Sequence, residues 1–338
     1  MQGSRRSLSR PAGVKISGTG MCLPKKVLSN DDLAKIVDTN DEWIIQRTGI
    51  KTRHISEPHE KTSDLATSAI REALERADMQ PSDLDLVIVA TMTQDMICPA
   101  TAATVVQKLG AIPCGAFDMN IACTGFVAAM NAASSMIESG FYKHIAVVGA
   151  DTLSSIVDWD DRRTCVLFGD AAGAAILSVS DDPEQGCLYQ GLWSDGERGQ
   201  ALFVPREEAD IPNGEENTFS GKYDKLQMNG KAVYKFAVNA LADCVDLALK
   251  ETGLTSDQVK MVVPHQSNLR MLTSAWKKLG FKGEKVYVNI DRFGNTSAAT
   301  VGVCLHELVR DGVVKEGDYV IFVAQGGGLS WGSALWKL

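Results

Sequence analysis

Short apolar runs alternate with segments of helical periodicity along this chain. The run 86–90 contains only Leu, Val, Ile and Ala, and the preceding segment 62–77 repeats its apolar residues at helical spacing. Further strands are predicted at 116–120, 145–149 and 172–178. Short strands without polar alternation are typical of sheets that helices cover on both faces. The pattern therefore predicts an α/β fold built in layers.

The chain also repeats its own pattern at an offset of 174 residues. Segment 81–85 leads into one apolar run, and 255–259 leads into another. The run 144–149 has its counterpart at 318–323, and the uncharged stretch after Asp118 has one at the same offset. Matches at one offset over about half the chain indicate two copies of one structural unit.

The repeat predicts two similar halves, 14–180 and 226–338. Between them, 181–225 is polar and contains three prolines, which predicts a crossover with loops near the ligand. Residues 1–13 lack the apolar core of a secretory signal and are predicted to be a disordered tail. The uncharged stretch 119–137 has nearly the length of a membrane span, but its Asn, Thr, Ser and Ala residues favour a buried helix. We therefore expect no membrane-spanning segment.

Composition is that of a soluble globular protein, with 45% hydrophobic and 22% charged residues among 338. The formal net charge of −8 argues against a nucleic-acid partner. The eight cysteines include no C-x-x-C pair, so no metal site is indicated. Reduced thiols predict a cytoplasmic location. An organelle stroma is the alternative if the Arg/Ser-rich start is the remnant of a transit peptide.

Three residues at the ends of predicted elements could carry out chemistry. Cys123 follows a strand and begins an uncharged helix, whose N-terminus would stabilise a thiolate. His265 follows the strand 261–263, where α/β sheets bind ligands, and could act as a general base. Asn295 begins the second uncharged helix, so the repeat places it near Cys123. The alternatives are a core cysteine, a hydrogen-bonded loop histidine and a helix-capping asparagine.

Three consecutive glycines, 326–328, end the last long strand. Their backbone could approach a ligand closely and point N–H groups at an oxyanion, although a plain turn is the alternative. The overlapping G-x-S-x-G pattern at 328–332 is not a nucleophile elbow, because too little chain follows to supply an acid and a histidine.

Together these motifs resemble β-ketoacyl-acyl-carrier-protein synthase III, the initiating condensing enzyme of type II fatty acid synthesis. The resemblance extends from about residue 14 to 338 and rests on segments 41–44, 47–50, 122–125, 168–173, 265–270, 294–298 and 326–332. It implies the thiolase-like fold, a duplicated αβαβα architecture, which agrees with the 174-residue offset.

The resemblance also implies a mechanism. Cys123 would be acylated by an acyl-CoA, and malonyl-acyl carrier protein would then lose CO2 and attack the acyl-enzyme. His265 and Asn295 would stabilise the enolate, and the N–H groups of Cys123 and Gly327 would form the oxyanion hole. Asn295 separates the chain from elongating synthases, which carry a second histidine there, and from thiolases, which carry a second cysteine. We expect a homodimer with no metal or redox cofactor, since CoA enters only as a substrate.

Binding residues are implied in the same way. Those expected at CoA are Trp43, Arg47, Arg162 and Asn268. Those expected to dock the acidic carrier protein are Lys235, Arg270, Lys277 and Lys278. The last three lie on one face of a predicted helix over 268–279, for which an ordinary solvated face is the alternative.

Two residues depart from the family pattern. Cys98 stands where well-known members carry Phe at the floor of the acyl pocket, supplied by the partner subunit, so primer length stays open. Gln325 stands where many carry Phe before the triple glycine, and it changes the wall near the catalytic pair. A starter-unit condensing enzyme or acyltransferase of secondary metabolism is the alternative function. As the nucleophile, Cys123 is expected to react with iodoacetamide before the other thiols.

Overall fold

The computed structural model describes residues 12–211, 219–281 and 283–338. Its strands are β1 (Gly13–Cys22), β2 (Lys26–Ser29), β3 (Thr52–Ile55), β4 (Leu86–Ala90), β5 (Gly115–Met119), β6 (His144–Asp151), β7 (Ala171–Ser180), β8 (Gly186–Ser194), β9 (Leu202–Phe203), β10 (Gln227–Met228), β11 (Val259–Pro264), β12 (Tyr319–Gly326) and β13 (Ser330–Lys337). Its helices are α1 (Asn30–Leu33), α2 (Asp41–Thr48), α3 (Thr62–Arg76), α4 (Thr101–Leu109), α5 (Gly125–Glu138), α6 (Gly230–Thr252), α7 (Leu269–Leu279), α8 (Ile290–Phe293) and α9 (Ala299–Arg310).

Two sheets with the same strand order form the scaffold. The first runs β1-β7-β6-β4-β5, and the second, read from its far edge, runs β8-β13-β12-β11. In both sheets the pairs β4/β6 and β11/β12 are parallel, and the next two pairs towards β1 or β8 are antiparallel. An isolated parallel bridge between Val262 and Val286 occupies the place of β5 in the second sheet. The duplication predicted from the sequence is confirmed.

Helices α5 and α9 form a layer between the two sheets. They begin 174 residues apart, at Gly125 and Ala299, and one apolar cluster joins them to both sheets. Helices α3 and α4 cover the outer face of the first sheet, and α6 and α7 cover that of the second. These are the five layers of the predicted αβαβα architecture.

Close packing explains why the middle layer is built from small, uncharged residues. A side chain on Gly173 of β7 would overlap the backbone of Val303 in α9, so helix and strand approach more closely than larger residues permit. The uncharged stretch 119–137 is therefore helical core for most of its length. Within the described ranges, no helix has both the length and the apolar character that crossing a bilayer requires.

The layers bring the ends of several elements to one place. The parallel strands β4, β6, β11 and β12 end at the edges where α5 and α9 begin. The amino ends of the two middle helices thus meet the carboxyl ends of strands from both halves, where α/β sheets bind ligands. The candidate active site lies at this junction.

The predicted boundaries need two corrections. Segment 181–225 is more than a crossover, because Gly186–Ser194 forms β8 and pairs with β13. The segment reads as polar because β8 is an edge strand whose second half alternates between half-buried and exposed residues. The predicted tail 1–13 lies outside the described residues except for its last two positions, and β1 already begins at Gly13.

Candidate active site

Cys123 lies in a tight turn between β5 and α5. The turn is a short 3-10 segment over Ala122–Thr124, and Ala122 has a left-handed φ of 43°. Gly326, at the end of β12, packs directly against it, since a Cβ there would lie 2.7 Å from the Cys123 backbone nitrogen. Both halves of the molecule therefore hold the cysteine in position.

Burial keeps Cys123 in its thiol form. The side chain is 6% exposed, and burial raises the pKa of Cys123 to about 12, opposed in part by the Ser297 hydroxyl. A neutral thiol must lose its proton before it can act as a nucleophile. Cys98, by contrast, is exposed. In a single chain Cys98 is thus more accessible than Cys123, and the order in which iodoacetamide labels the cysteines stays a prediction.

His265 lies just beyond β11 and is almost completely buried. Its backbone N–H donates to Val323 O at 2.8 Å, which continues the parallel ladder to β12. Burial lowers the pKa of His265 to about 3, so the imidazole is neutral at physiological pH. Its Nδ1 has no hydrogen-bond partner among the described residues. A neutral histidine can accept a proton at one nitrogen or donate from the other.

Asn295 lies in the loop between α8 and α9, and its amide orientation is set locally. The Ser297 backbone N–H donates to Asn295 Oδ1 at 3.0 Å, so Nδ2 remains as the donor. The Asn295 backbone pairs across the halves: its N–H donates to Leu167 O, and its carbonyl accepts from Gly169 N–H. The structure therefore presents an N–H donor to the site, as the sequence predicts.

A cavity of about 340 Å³ brings the three residues together. Its lining includes Cys123, His265 and Asn295, all buried, and also the exposed Arg47 and Arg270. It therefore runs from the surface to the nucleophile.

A second cavity, of about 430 Å³, meets the first at Cys123. Cys123, Phe168 and Leu202 line both cavities, and the second is completed largely by apolar residues such as Met92 and Leu153. Gly327 also lines the second cavity, on the side of the Cys123 turn, as the oxyanion prediction requires. Cys123 therefore lies where the two cavities meet. We call the first cavity, which opens to solvent, the tunnel, and the second, largely apolar cavity the chamber.

The four residues expected at CoA cluster around one ring. The guanidinium carbons of Arg47 and Arg162 lie 5.9 and 5.3 Å from the centre of the Trp43 ring. Asn268 Nδ2 donates to Arg47 O at 3.1 Å, and Arg162 Nη1 donates to Asp38 O at 2.8 Å. The arrangement places two cations and an aromatic ring at the outer end of the tunnel.

The four residues expected at the carrier protein are exposed on α6 and α7. Lys235 lies on α6, and the other three lie on α7, which spans nearly the predicted segment. Arg270 also lines the tunnel. Lys278 differs from the others, because its Nζ donates to Asn239 Oδ1 and Asp243 Oδ1 at 3.1 and 3.2 Å.

Cys98 does not reach the chamber of its own chain. It is exposed in the loop before α4 and lines neither cavity that meets Cys123. Its neighbours Met96 and Ile97 are also exposed, at 49% and 83%. Within one chain, Cys98 cannot form a pocket floor.

Sequence reasoning missed Asp151, a buried carboxylate at the end of β6. It accepts hydrogen bonds from Met92 N–H at 2.9 Å, Thr93 Oγ1 at 3.0 Å and Ala298 N–H at 3.2 Å. These bonds hold the start of α9, and with it the Asn295 loop, against the first half. A lone acid at the end of an apolar strand was the signal available in the sequence.

Fold and site together define a condensing enzyme of the thiolase-like class, with a cysteine, a histidine and an asparagine in one cavity. Residues 117–196 match the family model described as 3-oxoacyl-[acyl-carrier-protein] synthase III, and residues 249–338 match its C-terminal model. The chain belongs to the β-ketoacyl-[acyl-carrier-protein] synthase III family.

Individual relatives agree over almost the whole chain. The β-ketoacyl-[acyl-carrier-protein] synthase III of Caldanaerobacter subterraneus subsp. tengcongensis is 45% identical over 95% of this chain and 97% of its own. The crystal structure of the Aquifex aeolicus VF5 synthase III has a TM-score of 0.89 at 42% identity, covering 96% of this chain and all of its own. The priming β-ketosynthase of the R1128 polyketide pathway has the same TM-score at 33% identity, covering 100% and 99%.

Proposed function

We propose that the chain joins an acyl-CoA primer to malonyl-acyl carrier protein, releasing CO2 and forming β-ketoacyl-acyl carrier protein at the start of fatty acid synthesis. The observation that carries the proposal is the meeting of Cys123, His265 and Asn295 in one cavity. That cavity extends from the surface to a largely apolar chamber, so a thioester arm and an acyl chain can both reach the sulfur.

In the first half-reaction, Cys123 Sγ attacks the thioester carbon of acyl-CoA. The proton leaves the thiol and ends on the departing CoA sulfur, and neutral His265 is the base in the same cavity that can carry it. The N–H groups of Cys123 and Gly327 would bind the oxyanion of the tetrahedral intermediate. The acyl chain then occupies the chamber lined by Phe168 and Leu202.

In the second half-reaction, malonyl-acyl carrier protein enters the tunnel vacated by CoA. Loss of CO2 leaves an enolate, whose oxygen accepts hydrogen bonds from His265 and Asn295 Nδ2. The carbanion attacks the acyl-enzyme, the C–S bond breaks, and the Cys123 sulfur takes up a proton. Loss of CO2 drives the condensation, so the chemistry requires neither a metal nor a redox cofactor.

Charge supports the choice of carrier. The chain is acidic overall, yet Lys235, Arg270 and Lys277 are exposed on adjoining helices beside the tunnel. A local basic surface is what an acidic carrier protein would select. We also propose a homodimer, in which the exposed loop of Met96, Ile97 and Cys98 packs at the partner's acyl chamber, because one chain leaves these side chains uncovered.

The test is mass spectrometry of the protein after incubation with acyl-CoAs of graded length, followed by measurement of CO2 released from malonyl-acyl carrier protein. We expect one acyl group on Cys123 and CO2 release in proportion to product. Cys123→Ser, which lacks the thiol nucleophile, should carry no acyl group and form no condensation product. Acylation at another residue, or acylation without decarboxylation, would contradict the proposal.

A second candidate is a starter-unit condensing enzyme of secondary metabolism, favoured by the 33% identity to the polyketide priming ketosynthase over the full chain. The chemistry at Cys123 would be the same, and only the primer and the carrier would differ. Competition between the carrier protein of fatty acid synthesis and a polyketide carrier protein distinguishes the two functions.

A further inference from the structure

Gln325 is a buried polar residue in the wall of the tunnel, where it lies among groups that touch the reaction. It is 4% exposed and lines the cavity together with Cys123, His265 and Asn295. The next residue, Gly326, packs against the Cys123 backbone. Gln325 therefore lies in the part of the tunnel next to Cys123.

One end of the Gln325 amide is paired and the other is not. Nε2 donates to Ser267 Oγ at 3.0 Å, whereas Oε1 is buried and has no hydrogen-bond partner among the described residues. A buried carbonyl oxygen without a partner is unfavourable, so such an atom in a binding cavity indicates a missing donor.

The orientation of the amide follows from the neighbouring hydroxyl. Ser267 Oγ donates to Met271 Sδ at 3.6 Å, so its proton is engaged and its oxygen must accept from Gln325. This places Nε2 at Ser267 and leaves Oε1 as the unpaired atom. The unpaired atom of this tunnel residue is therefore an acceptor and not a donor.

We propose that Gln325 Oε1 accepts a hydrogen bond from the amide N–H of the substrate's pantetheine arm that lies nearest the thioester. The inference rests on the proposed function, in which acyl-CoA and the malonyl carrier protein share this arm. The nitrogen of that amide is three bonds from the sulfur, whereas an alkyl acyl group, a thioester and a malonyl carboxylate carry no N–H. Gln325 is thus a specificity-determining residue that positions both thioesters.

The experiment compares two small propionyl thioesters that differ in one group. One is S-propionyl-N-acetylcysteamine, and the other is the propionyl thioester of 2-mercaptoethyl acetate, in which an ester oxygen replaces the N–H. Propionylation of Cys123 is followed by mass spectrometry, which separates it from acetyl transfer. The wild-type protein should react about tenfold faster with the amide, since the ester leaves Oε1 unpaired.

Gln325→Met keeps the length of the side chain and removes the strong acceptor, so it should react equally with both compounds. The ratio within one protein does not depend on the folded fraction. Gln107→Met, at an exposed position on α4, is the matched control and should keep the wild-type preference.

Each outcome decides a separate question. Equal wild-type rates, or a preference that Gln325→Met retains, overturn the role of Gln325 while leaving the proposed function intact. If neither compound nor propionyl-CoA modifies Cys123, the proposed function itself fails, and the role of Gln325 fails with it.

Discussion

At the residue scale, the two central groups are neutral because they are buried. The Cys123 thiol and the His265 imidazole are both enclosed, and their pKa values shift in opposite directions to about 12 and about 3. In the resting protein the two side chains therefore do not form a thiolate–imidazolium ion pair. A neutral, buried thiol at Cys123 should react slowly with reagents that attack thiolates.

Alkylation tests this expectation. We expect iodoacetamide to modify Cys123 slowly, because its thiol is buried and neutral. Peptide mapping over time gives the rate at each cysteine, and prior incubation with acyl-CoA should block the reaction at Cys123. Fast modification of Cys123 in the resting enzyme would show that its thiol is ionised or open to solvent.

The buried imidazole also makes stability depend on pH. The unfolded chain binds a proton at His265 below about pH 6.5, whereas the folded chain does so only near pH 3. Stability from this residue is therefore complete above pH 6.5 and is lost as the pH falls towards 3, by at most about 1.4 kcal/mol per pH unit. Urea unfolding of wild type and His265→Gln between pH 7 and pH 4.5 should show a shallower acid loss in the variant. Parallel curves would contradict this assignment.

Asn295 should matter for one half-reaction only. Asn295→Ala removes an enolate donor, and we expect decarboxylation of malonyl-acyl carrier protein to slow by about 10²–10³-fold. Cys123 acylation should change little, because the Cys123 and Gly327 N–H groups serve that step. Asn295→Asp keeps the Ser297 backbone contact and should fail in the same half-reaction. Normal decarboxylation by Asn295→Ala would make its role structural.

At the element scale, helix α7 is amphipathic: one face packs in the core and the other lies on the surface. Met271, Leu272, Ala275 and Trp276 are buried against the second sheet, while its basic residues are exposed. Asn268 caps its N-terminus by accepting from Arg270 N–H at 2.9 Å, and Asn268 also holds the Arg47 carbonyl. One helix start thus ties the proposed carrier surface to the CoA end of the tunnel.

Charge reversal on α7 separates the two substrates. Arg270→Glu and Lys277→Glu should each raise KM for malonyl-acyl carrier protein several-fold, more strongly at low salt. Lys277→Glu should leave KM for acyl-CoA unchanged, because Lys277 does not line the tunnel. Lys143→Glu, at an exposed position just before β6, is the control. Equal effects on the carrier protein from Lys143→Glu would mean that only overall charge matters.

At the scale of the whole molecule, one chain leaves the acyl chamber incomplete. The chamber and a neighbouring surface cavity share Met92, Asn120 and Val204, and the neighbouring cavity is lined by the exposed Met96 and Ile97. In the proposed dimer the partner's loop would cover this opening. The length of primer that fits would then depend on Cys98 in that loop.

Cys98→Phe tests the proposed pocket floor. A cysteine leaves more room than Phe, so the wild-type dimer should use primers longer than acetyl, with about fourfold tighter binding per added methylene. Cys98→Phe should narrow use towards acetyl-CoA while keeping its turnover. Acyl-CoAs of graded length give the profile, and sedimentation of both proteins checks that the dimer is intact. An unchanged profile would remove Cys98 from the pocket.

Much of the architecture was predictable because it follows from local pattern. Apolar strands such as Leu86–Ala90 and the small residues of Gly125–Glu138 reveal covered sheets and a tightly packed middle layer. Strand β8 was missed because it is an edge strand. Its second half alternates between half-buried and exposed residues, so it lacks the apolar run that marks the inner strands. Its pairing with β13 is a contact between distant segments that periodicity does not encode.

The sequence by itself determined the duplicated fold and singled out Cys123, His265 and Asn295 as candidates, because strand ends, helix starts and family motifs are patterns of consecutive residues. The tertiary structure alone decided the protonation states of Cys123 and His265, since burial arises from segments far away in the chain. It also decided that the Gln325 amide has one unpaired oxygen, because the partners of that amide come from the loop and helix after β11. Burial and hydrogen-bond partners depend on which distant segments pack around a side chain, so the identity of a single residue does not predict them.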